Sequence, residues 1–309
     1  MNKSIAIIGY GAQGRAIAQN LRDSGYDIII GLRTGSKSRA IAKKDGFTKI
    51  TTISNAVKKT GMVCFAFPDH LHSKVFEVEI RKNLNKGSLL LFLQGMSVHF
   101  GFVVPPEDVD VILVAPHAPG AAVREEYLGA RNLSAFYAVD HDYSGKAEKT
   151  AIEIANAIGF QKNNLVRTTF EMEAVGDLFG EQAVLCGGMA SLVKNGFEVL
   201  VENGFSAENA YLEVAYQLDL IIAMIKKYGI EGMLQRISVA AAYGSVKTGP
   251  KLIDKSVRRR MQSSFNWIRS GRFTDELSKL NDKDLKKLKE EFSYMTDPRF
   301  ENVVKKYSK

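Results

Sequence analysis

Short apolar runs alternate with helix-like stretches through the first half of the chain. Residues 4–9 (SIAIIG), 27–32 (DIIIGL), 62–67 (MVCFAF), 88–93 (SLLLFL) and 111–115 (VILVA) are nearly all apolar. Runs of this length between helical patterns, such as residues 12–24 and 37–45, predict strands of a parallel sheet covered on both faces. Residues 135–139 and 165–166 add further strands. The expected fold is therefore α/β, a doubly wound Rossmann-type domain over residues 1–168. From residue 169 the pattern changes to helical periodicity alone, over 174–195, 207–227 and 231–243, with Gly196, Gly204, Gly229 and Gly244 as stops. Residues 169–309 read as an all-α C-terminal domain.

The first strand ends in Gly9-Tyr10-Gly11-Ala12-Gln13-Gly14, which fits G-x-G-x-x-G. Its place between a strand and a helix gives the motif its meaning. Gly9 makes the tight turn, Gly11 lets backbone approach a pyrophosphate, and Gly14 allows the helix to pack on the sheet. Gln13 belongs to the same cradle. The helix start offers free N–H groups to phosphates. At the end of the second strand an NAD-binding chain would place an acid for the ribose hydroxyls; this one has Gly31-Leu32-Arg33-Thr34-Gly35-Ser36-Lys37-Ser38. Arg33 can pair with a 2′-phosphate and Ser36 and Ser38 can donate to it, so the expected cofactor is NADPH. The alternative is a solvated basic loop.

Asp177 and Glu181 are four apart on a helical pattern and share a face. Two carboxylates amid apolar residues call for a partner, and all-oxygen ligands suit Mg²⁺. Glu213 and Gln217 repeat the spacing on the next helix. The alternative is two exposed helix faces.

Composition bounds the rest. The 309 residues are 45% hydrophobic and 25% charged, an ordinary globular balance with ample core. The net charge of +8 is concentrated in residues 251–260 and 279–289, where it reads as solvated helical faces rather than a nucleic-acid surface. It can also steer anionic substrates. No apolar run approaches the ~18 residues of a membrane span, and the N-terminus enters a strand at once, leaving no expected signal peptide. Cys64 and Cys186 sit among apolar neighbours, which predicts buried thiols and a reducing, cytoplasmic setting.

Taken together, Gly9–Gly14, GLRTGSKS (31–38), VILVAPHAPG (111–120), DLFGEQAVLCGG (177–188) and YGSVKTGP (243–250) resemble ketol-acid reductoisomerase, from about residue 3 to residue 254. The length resembles the short-chain class of that family. The resemblance implies an NADPH- and Mg²⁺-dependent enzyme of branched-chain amino-acid synthesis. Such enzymes move an alkyl group within a 2-acetohydroxy acid and then reduce the 2-keto acid formed. It also implies a knotted helical domain that builds its site with a dimer partner. By position, Asp177, Glu181 and Glu213 would hold metal and Ser238 substrate.

Three positions depart from the family pattern. Gln94 stands where the family has His, His117 where it has the Lys of A-P-K-G-P-G, and Gln217 where it has the second Glu of E-x-x-x-E. Glutamine cannot accept a proton as histidine can. Histidine near pH 7 is not a fixed cation, and an amide oxygen is a weaker ligand for a hard dication than a carboxylate. Alkyl migration needs strong activation of the kind two metals supply, whereas hydride delivery asks less. Asp177, Glu181, His117 and Gln94 are the candidate catalytic positions, and Gln217 and Ser238 the candidate substrate contacts. The preferred expectation is an NADPH-dependent oxidoreductase acting on a 2-keto acid or related C=O or C=N substrate, with the isomerase step lost or weakened. The alternatives are an authentic reductoisomerase and a cofactor-binding scaffold or regulatory paralogue without turnover. The expected partners are a small-molecule substrate and a second copy of the chain, without nucleic acid or membrane.

Overall fold

Every residue of β1 (Ser4–Ile8) is buried in the computed structural model, which describes residues 3–129 and 133–307. Ile5 and Ile7 enter one apolar layer and Ala6 and Ile8 the other, so continuous apolar strands produce a sheet covered on both faces. The strands are β1, β2 (Asp27–Gly31), β3 (Ile50–Thr51), β4 (Met62–Phe65), β5 (Leu89–Phe92), β6 (Asp110–Pro116), β7 (Ala135–His141) and β8 (Leu165–Arg167), in the order 3-2-1-4-5-6-7-8. The order reverses between β1 and β4, where Ile8 pairs with Phe65. A doubly wound sheet offers its ligand crevice at that switch point, beyond the strand C-termini.

The doubly wound sheet is as expected, with two additions. β3 has only two residues, too few to show as an apolar run. β7 is antiparallel to β6, a direction that apolar periodicity does not encode. Helices α1 (Ala12–Asp23), α2 (Ser38–Lys44), α3 (Ile53–Lys58), α4 (His72–Val75), α5 (Met96–His99), α6 (Gly120–Tyr127) and α7 (Ala147–Ile158) connect the strands.

The chain divides into two compact units, residues 1–176 with 274–279, and residues 177–273 with 280–309. Among the described residues no strand follows β8. Helix α8 (Phe170–Gly180) continues through a π-turn (Glu181–Leu185) into α9 (Gly187–Glu202), and α10 (Ala207–Tyr211) through a second π-turn (Leu212–Tyr216) into α11 (Leu218–Leu234). Then come α12 (Val239–Leu252), α13 (Lys255–Arg269), α14 (Arg272–Ser278), α15 (Asp282–Glu291) and α16 (Pro298–Tyr307). Phe300 of α16 meets Phe197 edge-to-face and Tyr307 meets Tyr211 at a tilt, with ring centroids 5.2 and 5.7 Å apart.

Several local expectations change. Gly204 ends α9 and Gly229 breaks α11, each with φ near the left-handed region (89° and 72°). Gly196 and Gly244 instead lie inside α9 and α12, since a single glycine costs a helix only about 1 kcal/mol of propensity. The helix expected over 231–243 is two helices, parted before the N-cap Ser238. Cys64 is buried, and burial pushes its thiol pKa up; Cys186 is exposed because it follows the π-turn on an open helix face. The run Phe170–Glu202 is long and apolar enough to cross a membrane by length and composition. Asp177 and Glu181 interrupt its apolar residues, so counting uninterrupted runs misses it.

Candidate cofactor and carboxylate sites

The glycine loop is shaped by close backbone approaches. Gly9 has φ 97°, and a Cβ there would lie 2.3 Å from the Ala66 carbonyl oxygen at the end of β4. Gly14 sits 3.0 Å from the Ala66 Cβ on the same measure, while nothing lies within 4 Å of a Cβ on Gly11. Gly9 and Gly14 therefore serve packing, and Gly11 faces open space where a pyrophosphate can approach. Gly11 caps α1 without a side-chain hydrogen bond, and Gln13 is half-buried beside it. Gly120, which closes the 111–120 motif, is fixed by the same helix start: its Cβ would meet the Ala12 carbonyl oxygen at 2.3 Å. That contact explains why the family-like motif ends in glycine.

The loop after β2 leaves Arg33 and Thr34 exposed, with Ser36 and Ser38 half-buried. A turn from the Ser36 N–H to the Arg33 carbonyl, 3.2 Å, holds it. Arg33, Ser36 and Ser38 thus share one short loop beside the glycine cradle, since Gly9 N–H donates to the Gly31 carbonyl at 3.0 Å.

Gln94 follows β5, and its side-chain Oε1 accepts from the Met96 N–H at 2.6 Å. The Gly95 N–H donates to Glu173, a buried carboxylate on α8. A Cβ on Gly95 would lie 2.5 Å from the Phe170 carbonyl oxygen, so this turn too requires glycine. Sequence reasoning missed Glu173; its mark is a carboxylate one helical turn before Asp177. It also missed His72, which is 2% exposed. The His72 Nε2 lies 2.9 Å from the Phe67 carbonyl and its Nδ1 2.7 Å from Ser97 Oγ. A carbonyl only accepts, so Nε2 carries the proton and Nδ1 accepts from Ser97. Burial lowers its pKa, against the opposing pull of Asp69.

His117 follows β6. Its Nδ1 is 2.9 Å from Ser134 Oγ, and its ring meets Phe136 edge-on at 4.3 Å. Desolvation there lowers its pKa, more than the Ser134 contact raises it. The ring is therefore neutral near pH 7 and does not replace a lysine's fixed charge.

In the helical unit, Asp177 and Glu181 are exposed, and Glu181 opens the first π-turn. The Cys186 N–H donates to the Glu181 carbonyl at 2.8 Å, the five-residue step that defines the turn. Gly187 and Gly188 are what that turn demands, since a Cβ on either would lie 2.2 Å from the carbonyl oxygens of Gln182 and Ala183 respectively. Glu213 lies within the second π-turn and Gln217 just beyond it, both exposed. Ser238 caps α12, its hydroxyl accepting from the Ala241 N–H at 3.2 Å. Among the described residues, no three His, Cys, Asp or Glu side chains are close enough to hold a metal ion together. Asp177, Glu181 and Glu213 are therefore not gathered into one three-ligand cluster. The two carboxylates one turn apart still match the all-oxygen donor chemistry of Mg²⁺.

A glycine cradle at the switch point, a basic hydroxyl-rich loop after β2 and a following helical unit define a Rossmann oxidoreductase for a phosphorylated dinucleotide. Comparison with known proteins narrows the class. The "Acetohydroxy acid isomeroreductase, NADPH-binding domain" family matches residues 1–164, and the "Ketol-acid reductoisomerase, C-terminal domain" family matches residues 170–308. The chain belongs to the ketol-acid reductoisomerase family, and its N-terminal portion is that family's NADPH-binding domain. It is 47% identical over 274 residues to "Ketol-acid reductoisomerase (NADP(+))" of Pyrobaculum aerophilum, covering 89% of this chain and 83% of that protein. The protein of the same name from Xanthomonas oryzae pv. oryzae is 48% identical over 270 residues, covering 87% of this chain and 81% of its own length. A solved NADH-preferring ketol-acid reductoisomerase from an uncultured archean superposes with a TM-score of 0.92 at 37% identity, covering 99% of this chain and 93% of that one.

Proposed function

We propose that this chain is a working ketol-acid reductoisomerase, rearranging a 2-acetohydroxy acid and reducing the product with NADPH. The observation that carries the reading is similarity across both units to proteins of that name. It favours the authentic enzyme over the reductase without migration that the three divergent positions first suggested. Gly9, Gly11, Gln13 and Gly14 cradle the pyrophosphate, and Arg33, Ser36 and Ser38 hold the 2′-phosphate. NADPH supplies the hydride. Asp177 and Glu181, with Glu213, would hold Mg²⁺, which would supply Lewis-acid polarisation of substrate oxygens. By family position, Gln94 and His117 are the candidate catalytic groups and Gln217 and Ser238 the candidate substrate contacts.

The helical unit exposes Leu185, Leu220, Ile230, Val239 (86% exposed), Tyr243 and Val246. So much apolar surface needs cover, and a second copy of the chain supplies it here, rather than lipid. The same copy completes the carboxylate set that one chain leaves dispersed. Light scattering should show a dimer or larger assembly without detergent.

The enzymatic test is acetolactate turnover with NADPH and Mg²⁺, followed by product analysis. Formation of the rearranged, reduced dihydroxy acid supports the reading; NADPH oxidation only with 2-keto acids rejects it. One set of contacts favours a second reading, a reductase with weakened migration. Gln94 is bonded to Met96, His117 is held neutral, and Gln217 donates within its own helix.

A further inference from the structure

Asp45 is the C-cap of α2, the helix that begins at the 2′-phosphate loop. A carboxylate at a helix C-terminus faces the negative end of the dipole, so its presence there needs a compensating partner. It has several, all from the glycine-loop side. Tyr10, the residue between Gly9 and Gly11, donates from its hydroxyl to Asp45 Oδ2 at 2.8 Å. Arg15 on α1 makes a bidentate pair, Nε to Oδ2 at 2.7 Å and Nη2 to Oδ1 at 2.8 Å. Arg22, two turns further along the same face of α1, donates to the Asp45 carbonyl at 2.7 Å. Phe47 is seated between them, its ring 5.7 Å from that of Tyr10 and 5.0 Å from the Arg22 guanidinium.

The Asp45 side chain is only 8% exposed, whereas that of Arg15 is 50% exposed. The hydrogen bonds from Arg15 hold the Asp45 carboxyl below the usual carboxylate range, so it is ionised at neutral pH. Burial and the bond to Asp45 raise the Tyr10 hydroxyl, which stays a donor. The tie is thus a charged, two-pronged contact whose geometry is set by planar groups. It joins the pyrophosphate cradle, through Tyr10 and α1, to the far end of the seven-residue helix carrying the 2′-phosphate loop.

We infer that Asp45 is a specificity-determining positioning residue, which sets the span between the pyrophosphate cradle and the Arg33–Ser38 loop and thereby the preference for NADPH over NADH. A helix of seven residues is about 10 Å long, short enough to move as a rigid lever. Freed at the Asp45 end, it lets the loop drift from the 2′-phosphate while the cradle under α1 keeps its place. NADH makes no use of that loop's charge, so its binding is spared. The inference rests on the reading of Arg33, Ser36 and Ser38 as the 2′-phosphate loop.

The test is nicotinamide fluorescence titration of the full-length protein with NADPH and with NADH, for the wild type, Asp45→Asn, Tyr10→Phe and, as a control on the loop, Arg33→Ala. Asp45→Asn should reduce the NADPH-to-NADH affinity ratio by roughly tenfold, the scale of one charge-assisted contact, almost entirely through weaker NADPH binding. Tyr10→Phe keeps the ring packing on Phe47 and should give a smaller loss in the same direction, which preserves the test should the Asp45 variant fold poorly. A ratio unchanged in both variants, or equal weakening of both cofactors, overturns the inference while a loss in Arg33→Ala leaves the loop reading intact. A wild type without preference, or an Arg33→Ala protein that keeps it, overturns the loop reading and the inference together.

Discussion

The side-chain amide of Gln217 donates to the Leu212 carbonyl, 3.3 Å away, across the π-turn that carries Glu213. An amide can make that bond and a carboxylate cannot, so glutamine here steadies the turn where the family pattern would place a second acid. Gln217→Glu should turn the side chain away from the carbonyl, toward the exposed side. We expect Mg²⁺ binding to tighten by roughly ten- to a hundredfold, the range over which ligand-shell changes act, and stability to fall by about 1 kcal/mol with the lost hydrogen bond. Calorimetric titration and thermal unfolding measure the two effects. Unchanged Mg²⁺ affinity would mean that this position does not face the cation.

The first π-turn gives a stability prediction. A Cβ on Gly187 would sit 2.2 Å from the Gln182 carbonyl oxygen, and the obstacle is backbone, which cannot swing aside like a side chain. Gly187→Ala should cost about 1–3 kcal/mol, the usual range for overpacking, although alanine is the better helix former by propensity. Gly176→Ala, with nothing within 4 Å of the added Cβ, is the control and should be neutral or stabilising. Urea denaturation of both variants decides between turn geometry and propensity; a Gly187→Ala protein as stable as the control would show that the π-turn relaxes freely.

These two turns mark where the sequence was readable and where it was not. Apolar runs locate β1, β2, β4, β5 and β6, because strands buried on both faces leave no polar positions. The same logic is blind to direction, hence the antiparallel β7, and to a two-residue strand such as β3. In the cofactor half, Gly9 and Gly14 are legible because their packing roles recur wherever a strand turns into a helix against a sheet. The spacing of Asp177 and Glu181 predicts a helical stretch, and both lie on the run from α8 into the π-turn that Glu181 opens, but the π-turn itself was not legible. A π-turn has no periodicity of its own, only the unexplained adjacency of two glycines inside an apolar helix. Buried polar anchors such as Glu173 and His72 are hidden for a different reason. Their partners, Gly95 and Ser97, are distant in sequence and meet them only once the sheet has formed.

Acid should weaken the fold through His72. Burial lowers its folded pKa below the ordinary value, while the unfolded chain titrates near 6.5. Between these values the unfolded state binds more protons, so stability rises with pH there and is lost as pH falls below about 6.5 toward the depressed folded pKa. His117 adds a shift of the same sign. Urea midpoints should hold from pH 8 to 7 and decline from pH 6.5 to 5.5. In His72→Asn the decline should be shallower, on a lower baseline because the bonds to Phe67 and Ser97 are altered. An identical slope in the variant would assign the acid sensitivity to other groups.

The three divergent positions can be tested as a set, because each has one polar atom engaged within its own surroundings. Gln94 Oε1 accepts from Met96 N–H at 2.6 Å, His117 Nδ1 is 2.9 Å from Ser134 Oγ, and Gln217 Nε2 donates to Leu212. Respectively, each lacks what the family residue would bring: Gln94 a proton acceptor, His117 a fixed cation and Gln217 a second carboxylate. Alkyl migration draws on all three properties, whereas reduction of the already migrated 3-hydroxy-3-methyl-2-keto acid draws mainly on cofactor placement. On the second reading, a reductase with weakened migration, the triple variant Gln94→His, His117→Lys, Gln217→Glu should raise acetolactate turnover while changing reduction of the migrated keto acid little. Each single variant should give less than a third of the logarithmic gain, since residues that act as a unit are not additive. Product analysis separates the two half-reactions. Wild-type acetolactate turnover as fast as its reduction of the migrated acid, with no gain in the triple variant, would show that Gln94, His117 and Gln217 serve the full reaction as they stand.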